Sequence, residues 1–140
     1  MSHTNLQSDC PGCSLVFAKY PGFNSMLADW FDGIRATHSD AHVSCAGRGR
    51  IDQEAAFARG ASKAHYGQSS HNYNAAIDLW QMLNGVYTLD QQWFNDLIGM
   101  HLTDELKWYG VPGSAFFELP HVEVADWRNM AKTGTLTLVE

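Results

Sequence analysis

Ser69-Ser70-His71-Asn72-Tyr73-Asn74-Ala75-Ala76-Ile77-Asp78 is the stretch from which the rest of the chain is read. His71 and Asp78 stand seven residues apart, which on an unbroken helix is two turns and roughly 10 Å of rise. Metal–ligand bonds are about 2 Å long, so such a helix could not easily bring both side chains to one ion. A turn between them could. Asn72-Tyr73-Asn74 has turn chemistry, because asparagine tolerates the left-handed region. A strand after that turn puts Ala76, Asp78 and Trp80 on one face, and Asp78 can then point back at His71.

Glu118-Leu119-Pro120-His121 supplies the remaining groups. Pro120 opposes a continuing helix, and residues three apart on a straight strand face opposite sides. A bend at Leu119-Pro120 would turn Glu118 and His121 toward one cavity. His71, Asp78 and His121 then form a three-ligand set with a fourth position open, the arrangement of a catalytic zinc site. One zinc ion there makes hydroxide available near neutral pH. Glu118 is the candidate general base, and then the acid toward a leaving amine. A nearby cation would stabilise a developing oxyanion or anchor a substrate carboxylate. Arg48, in the Gly47-Arg48-Gly49 turn, is the first candidate and Arg50 the second. Two imidazoles and a carboxylate also accept other divalent ions. His3, His38, His42, His65 and His101 read as surface or core residues.

Outward from these segments, Phe23, Met26, Leu27, Trp30 and Ile34 recur at helical steps and predict a helix over 23–36, capped by Asn24 or Ser25. A buried strand is expected over 41–46, then a helix over 52–59 capped by Asp52 and ended by Gly60. Residues 61–74 read as a loop and 75–80 as a strand. A helix over 89–98 turns Trp93, Phe94 and Leu97 inward. Residues 105–109 are a strand or a helix end, 111–114 a turn, 116–124 a broken strand, and 135–139 a last strand. Trp30, Trp80, Trp93 and Trp108 read as core, with Trp80 and Trp108 able to line a cleft. Helices first and then strands mixed with helices give an α+β class, with a small antiparallel sheet carrying the site.

The 140 residues suit one domain, with residues 1–20 as a loosely attached arm and the motifs within 41–124. The chain is 45% apolar, carries a formal charge of -6, and scatters its nine basic residues. No basic face is available for nucleic acid, and no apolar run would span a bilayer. The polar start lacks the pattern of a secretory signal, so a cytoplasmic protein is expected. Three cysteines, an odd count, favour reduced thiols. Cys10-Pro11-Gly12-Cys13 has zinc-knuckle or redox spacing but no second ligand pair with matching spacing, and reads as a turn with two free thiols.

The pattern Ser69-x-His71-x-x-Asn74-x-Ala76-x-Asp78 followed by Glu118-x-Pro120-His121 resembles the zinc D-alanyl-D-alanine carboxypeptidase and L-alanyl-D-glutamate peptidase family. Residues 68–73 and His121-Val122-Glu123 look most like its phage endolysin branch. Gly47-Arg48, Gln53 and Gly60 resemble that family's arginine turn and helix. The resemblance implies zinc ligands at His71, Asp78 and His121, a catalytic acid/base at Glu118, a substrate-contacting Arg48, and support of the metal loop by Ser69. Asn74 departs from the family glycine, and Glu118 from the aspartate of several endolysin relatives. The implied function is hydrolysis of a peptidoglycan stem peptide, at L-Ala–D-Glu, by a monomeric lysin that stays cytoplasmic until released to the wall. A D-Ala–D-Ala carboxypeptidase or dipeptidase and a non-catalytic zinc-binding module are the alternatives.

Overall fold

The computed structural model of the chain describes residues 10–140. Pro11 at the first helical position starts α1 (Pro11–Ala18), which buries Cys13, Ser14 and Phe17. Helix α2 (Ser25–Arg35) is capped by Asn24, whose side chain accepts from Leu27 N–H at 3.0 Å. Its Leu27, Ala28, Phe31 and Ile34 recur on one face and are buried. Strand β1 (Ala41–Cys45) follows, then α3 (Arg50–Ala58), which ends at Gly60 in the left-handed region with φ 78°. A 3₁₀ turn over Ser70–Tyr73 leads into β2 (Ala76–Leu83), which pairs with β3 (Val86–Thr88). Helix α4 (Gln91–His101), β4 (Leu106–Trp108), β5 (His121–Val124) and α5 (Trp127–Lys132) complete the order.

The strands form one antiparallel sheet in the order β1-β2-β5-β4, with β3 also on β2. The protein is therefore a small α+β domain. Val43 faces Leu79, and Ile77 faces Val122, so one side of the sheet is apolar and packs on Leu27, Phe31, Ile34 and Leu97. Fully burying each such side chain stabilises the fold by about 1.5–3 kcal/mol. The other side carries Ala76, Asp78 and Trp80 of β2, with His121 and Glu123 of β5, because side chains alternate along a strand. Among the described residues no helix is long and apolar enough to cross a membrane.

Several expectations are corrected. Residues 11–18 are not a loose arm, since α1 buries Phe17 against the core; residues 1–9, with His3, lie outside the described residues. Cys10 and Cys13 are joined in a disulfide rather than free. Gly49, not Asp52, is the cap of α3, and Asp52 in its first turn instead accepts from Lys19 and Tyr20. Residues 135–139 alternate like a strand but pair with no strand. There Val139 N–H donates to Asn72 O at 2.6 Å and its carbonyl accepts from Tyr66 OH. The ordered element near that end is α5. In the 116–124 stretch only His121–Val124 is strand, because residues 118–121 form a turn. All four tryptophans assigned to the core are half-buried; Trp30, Trp93 and Trp108 pack on it, whereas Trp80 stacks on Tyr87 of β3.

Candidate metal centre

Register builds the site. Asp78 lies directly opposite His121 in the β2–β5 pairing and opposite Cys45 in the β1–β2 pairing. Directly opposed side chains are neighbours. The register slips between Val43 and Cys45, a bulge of the kind that re-aims a side chain. His71 reaches the same place from the 3₁₀ turn. Asn74, at φ 54° and ψ 34°, then reverses the chain into β2. This is the left-handed turn expected from the sequence, and Gly47 makes room for it: a Cβ at residue 47 would collide with Asn74 Oδ1.

One oxygen, Asp78 Oδ1, lies 3.3 Å from His71 Nε2 and 3.4 Å from His121 Nδ1. Those separations are long for charge-assisted hydrogen bonds. They match the distance of about 3.3 Å between neighbouring ligand atoms around a tetrahedral ion with bonds near 2.05 Å. The opposite nitrogen of each ring is engaged. His71 Nδ1–H donates to Ala46 O at 2.7 Å, and His121 Nε2–H donates to Glu123 Oε1 at 2.8 Å. In the neutral form of each ring the lone pair is thereby left on the Asp78 side. Imidazoles that bind metals are oriented in this way, by a carbonyl or carboxylate on the second nitrogen.

Cys45, His71 and Asp78 also offer donor atoms within 4.8 Å of one another. The Cys45 sulfur, however, lies 3.7 Å from His71 Nδ1, the nitrogen already donating to Ala46. His71 Nε2, Asp78 Oδ1 and His121 Nδ1, by contrast, keep every orienting bond intact and are donors of the kind a divalent ion accepts.

The charges are strongly coupled. Burial opposes a charge on His71, but the Asp78 carboxylate and Cys45 outweigh it and hold that imidazole well above its ordinary range. Burial likewise works against ionised Asp78, and both histidines overcome it, holding the carboxyl far below the usual range. Glu123 is buried, yet His121 and Tyr109 hold it down at about 2. Its carboxylate accepts from His121, from Ser70 Oγ at 2.8 Å, from Tyr109 OH at 2.7 Å and from Trp127 Nε1 at 3.0 Å. Burial and Glu123 together push Tyr109 up to about 12, so it stays a donor.

The fold is shared with Serratia marcescens L-Ala D-Glu endopeptidase ChiX. The crystal structure of that protein matches with a TM-score of 0.67 over 86% of this chain and 91% of its own, at 16% sequence identity. At that identity the likeness is one of fold. No family profile and no curated protein sequence matches the chain.

The sequence-derived candidates fall as follows. His71, Asp78 and His121 come together. Glu118 opens the turn that ends at His121: its carbonyl accepts from His121 N–H at 3.1 Å and its N–H donates to Tyr109 O at 2.9 Å, while its side chain is exposed. Arg48 adjoins the metal loop through its N–H to His71 O, and its guanidinium donates to Gln53 Oε1 and contacts Cys45 Sγ. Arg50 instead stacks on Tyr66 at 4.3 Å. Ser69 caps the loop by accepting from His71 N–H.

Four residues of the site lie within the motifs quoted from the sequence but are given no individual role there. Ser70, rather than Ser69, reaches the buried carboxylate. Glu123 sits two residues after His121, which on a strand is the same face, and that spacing was a usable signal. Asn72 and Gln53 are fully buried. Asn72 Oδ1 accepts from Gly67 and Ser69 N–H, and its amide donates to Arg48 O and Gln53 Oε1. These satisfied amides fix the Arg48 turn against the metal loop. A groove of ≈ 710 Å³ opens beside Asp78 and Cys45, with Arg48, Arg59 and the Lys19–Asp52 ion pair on its walls.

Proposed function

We propose that this protein is a zinc-dependent peptidase that hydrolyses the L-Ala–D-Glu bond of peptidoglycan stem peptide, as a phage-type lysin acting once released to the wall. The observation that carries the reading is the pair of oriented imidazoles sharing one oxygen of Asp78, a residue that also lines a groove with Arg48. The motif resemblance and the shared fold support the same reaction class.

His71, Asp78 and His121 would hold the ion. Zinc in such a site supplies Lewis acidity toward a carbonyl and an ionisable water near neutral pH. Glu118 takes the proton of the attacking water and returns it to the leaving nitrogen as the C–N bond breaks, giving a carboxylate and a free amine. Arg48 binds a substrate carboxylate or the developing oxyanion, its position fixed by Gln53 and Asn72. Asp78 and Glu123 supply the negative charge that keeps both imidazoles in place.

The test is a mass-spectrometric digest of purified peptidoglycan, with and without chelator, and with zinc restored. A new amino terminus on D-Glu, abolished by chelation, is expected. Loss of terminal D-Ala alone would make the protein a carboxypeptidase, and full digestion in chelator would refute the metal-dependent reading.

A further inference from the structure

The Cys10-Pro11-Gly12-Cys13 segment plays no part in the site above. Cys10 caps α1, its sulfur accepting from Cys13 N–H at 3.1 Å, and both cysteines are buried where α1 packs on β1. His42 of β1 stands beside them, its Nδ1 3.5 Å from Cys10 Sγ. Both sulfurs and a His42 nitrogen lie within 4.8 Å of one another. As a staple the disulfide constrains little, because it joins residues three apart, and the chain entropy removed by a cross-link grows with loop length. Burial and the Arg35 guanidinium hold His42 below its ordinary pKa, which favours the neutral imidazole a metal requires. Two sulfurs and an imidazole are a soft donor set suited to zinc.

We propose that reduction of the Cys10–Cys13 disulfide creates a second zinc site, with Cys10 and Cys13 as thiolates and His42 as the imidazole ligand. A dithiol reductant passes two electrons and two protons to the disulfide and leaves as its own disulfide. The two thiols then release two protons as the ion binds. On a tetrahedral ion with zinc–sulfur bonds of about 2.3 Å the sulfurs stand about 3.8 Å apart, within reach of two cysteines whose Cα atoms are 5.2 Å apart. The ion does what the disulfide does not. The disulfide closes one turn of α1 on itself, whereas the ion ties α1 to β1 across a sequence separation of 32 residues.

Cobalt(II), a spectroscopic stand-in for zinc, tests this by the thiolate-to-metal charge-transfer absorption that the His71, Asp78 and His121 site, without sulfur, does not give. Titration of the fully reduced chain should produce that absorption at one ion per chain, displaced by zinc and absent from the oxidised protein. Cys10→Ser with Cys13→Ser should abolish it, Cys45→Ser should keep it, and His42→Ala should weaken cobalt binding at least tenfold. Circular dichroism establishes that each variant is folded. If the double variant does not fold, the reduced and oxidised wild-type chains still decide the matter. No charge-transfer absorption in folded, reduced protein, its loss with Cys45→Ser, or undiminished affinity in His42→Ala would each overturn the proposal.

Discussion

Glu123→Gln should weaken zinc binding while leaving the fold in place. Glu123 is 4% exposed, and its two oxygens accept from His121, Ser70, Tyr109 and Trp127. Glutamine keeps the shape but has one oxygen, and its NH₂ can only donate. Trp127 Nε1–H also can only donate, so it holds the amide oxygen on its side and leaves the NH₂ facing Ser70 and His121. His121 then meets a donor with a lone pair on Nε2 and carries its proton on Nδ1, the nitrogen that faces Asp78. A proton there must be displaced before an ion can bind. Loss of such an orienting partner costs 10–100-fold in metal affinity, which is about 1.4–2.7 kcal/mol. Competition against a chromophoric chelator measures the affinity, and imidazole ¹⁵N shifts of the metal-free protein report the tautomer. Affinity within twofold of wild type, with the His121 proton still on Nε2, would refute the reasoning.

Four further outcomes follow from the same geometry. Glu118→Ala should keep stoichiometric zinc but lose on the order of 10²–10⁴-fold in turnover, whereas His71→Ala should lose both; near-normal turnover in Glu118→Ala would remove its assigned role. Arg48→Ala should impair turnover or raise KM with little change in zinc content, and Arg50→Ala, stacked away on Tyr66, should not; the reverse pattern in steady-state kinetics would reassign the arginine. Gly47→Ala forces a methyl group onto Asn74 Oδ1 and within 3.2 Å of the Tyr20 ring, so denaturant unfolding should show a loss of about 1–3 kcal/mol, and an unchanged midpoint would count against the close approach. For pH, His71 has a raised pKa in the metal-free protein. Its contribution to stability is thus complete below about 6.5 and lost as pH rises through the folded value. The same proton competes with metal, so zinc affinity and the thermal gain on adding zinc should both increase with pH, measured by calorimetry; a flat profile would contradict the coupling.

The sequence carried much of this arrangement because the key residues lie in short segments with strong local chemistry. Asparagine at 74 does adopt the left-handed turn, Pro120 does bend the chain before His121, and Leu27, Phe31 and Ile34 do line one helical face. What it did not carry depends on distant partners. The 135–139 alternation has the period of a strand, but its backbone is spoken for by Asn72 and Tyr66. Asp52 looked like a cap until Lys19 and Tyr20, more than thirty residues away, claimed its carboxylate. The β2–β3 hairpin was legible and overlooked: Asn84-Gly85, with φ of 52° and 77°, is the two-residue turn that such a hairpin favours. The nearness of His42 to Cys10 and Cys13 follows from the docking of α1 on β1, which no local pattern encodes.

The proposed chemistry requires three side chains to share one ion, with His121 bound through Nδ1. Anomalous diffraction at the zinc edge from metal-loaded crystals tests it most directly. A peak bonded to His71 Nε2, Asp78 Oδ1 and His121 Nδ1, with His121 Nε2 still donating to Glu123, is expected. A peak on Cys45 and His71 Nδ1, or His121 turned to bind through Nε2, would contradict it.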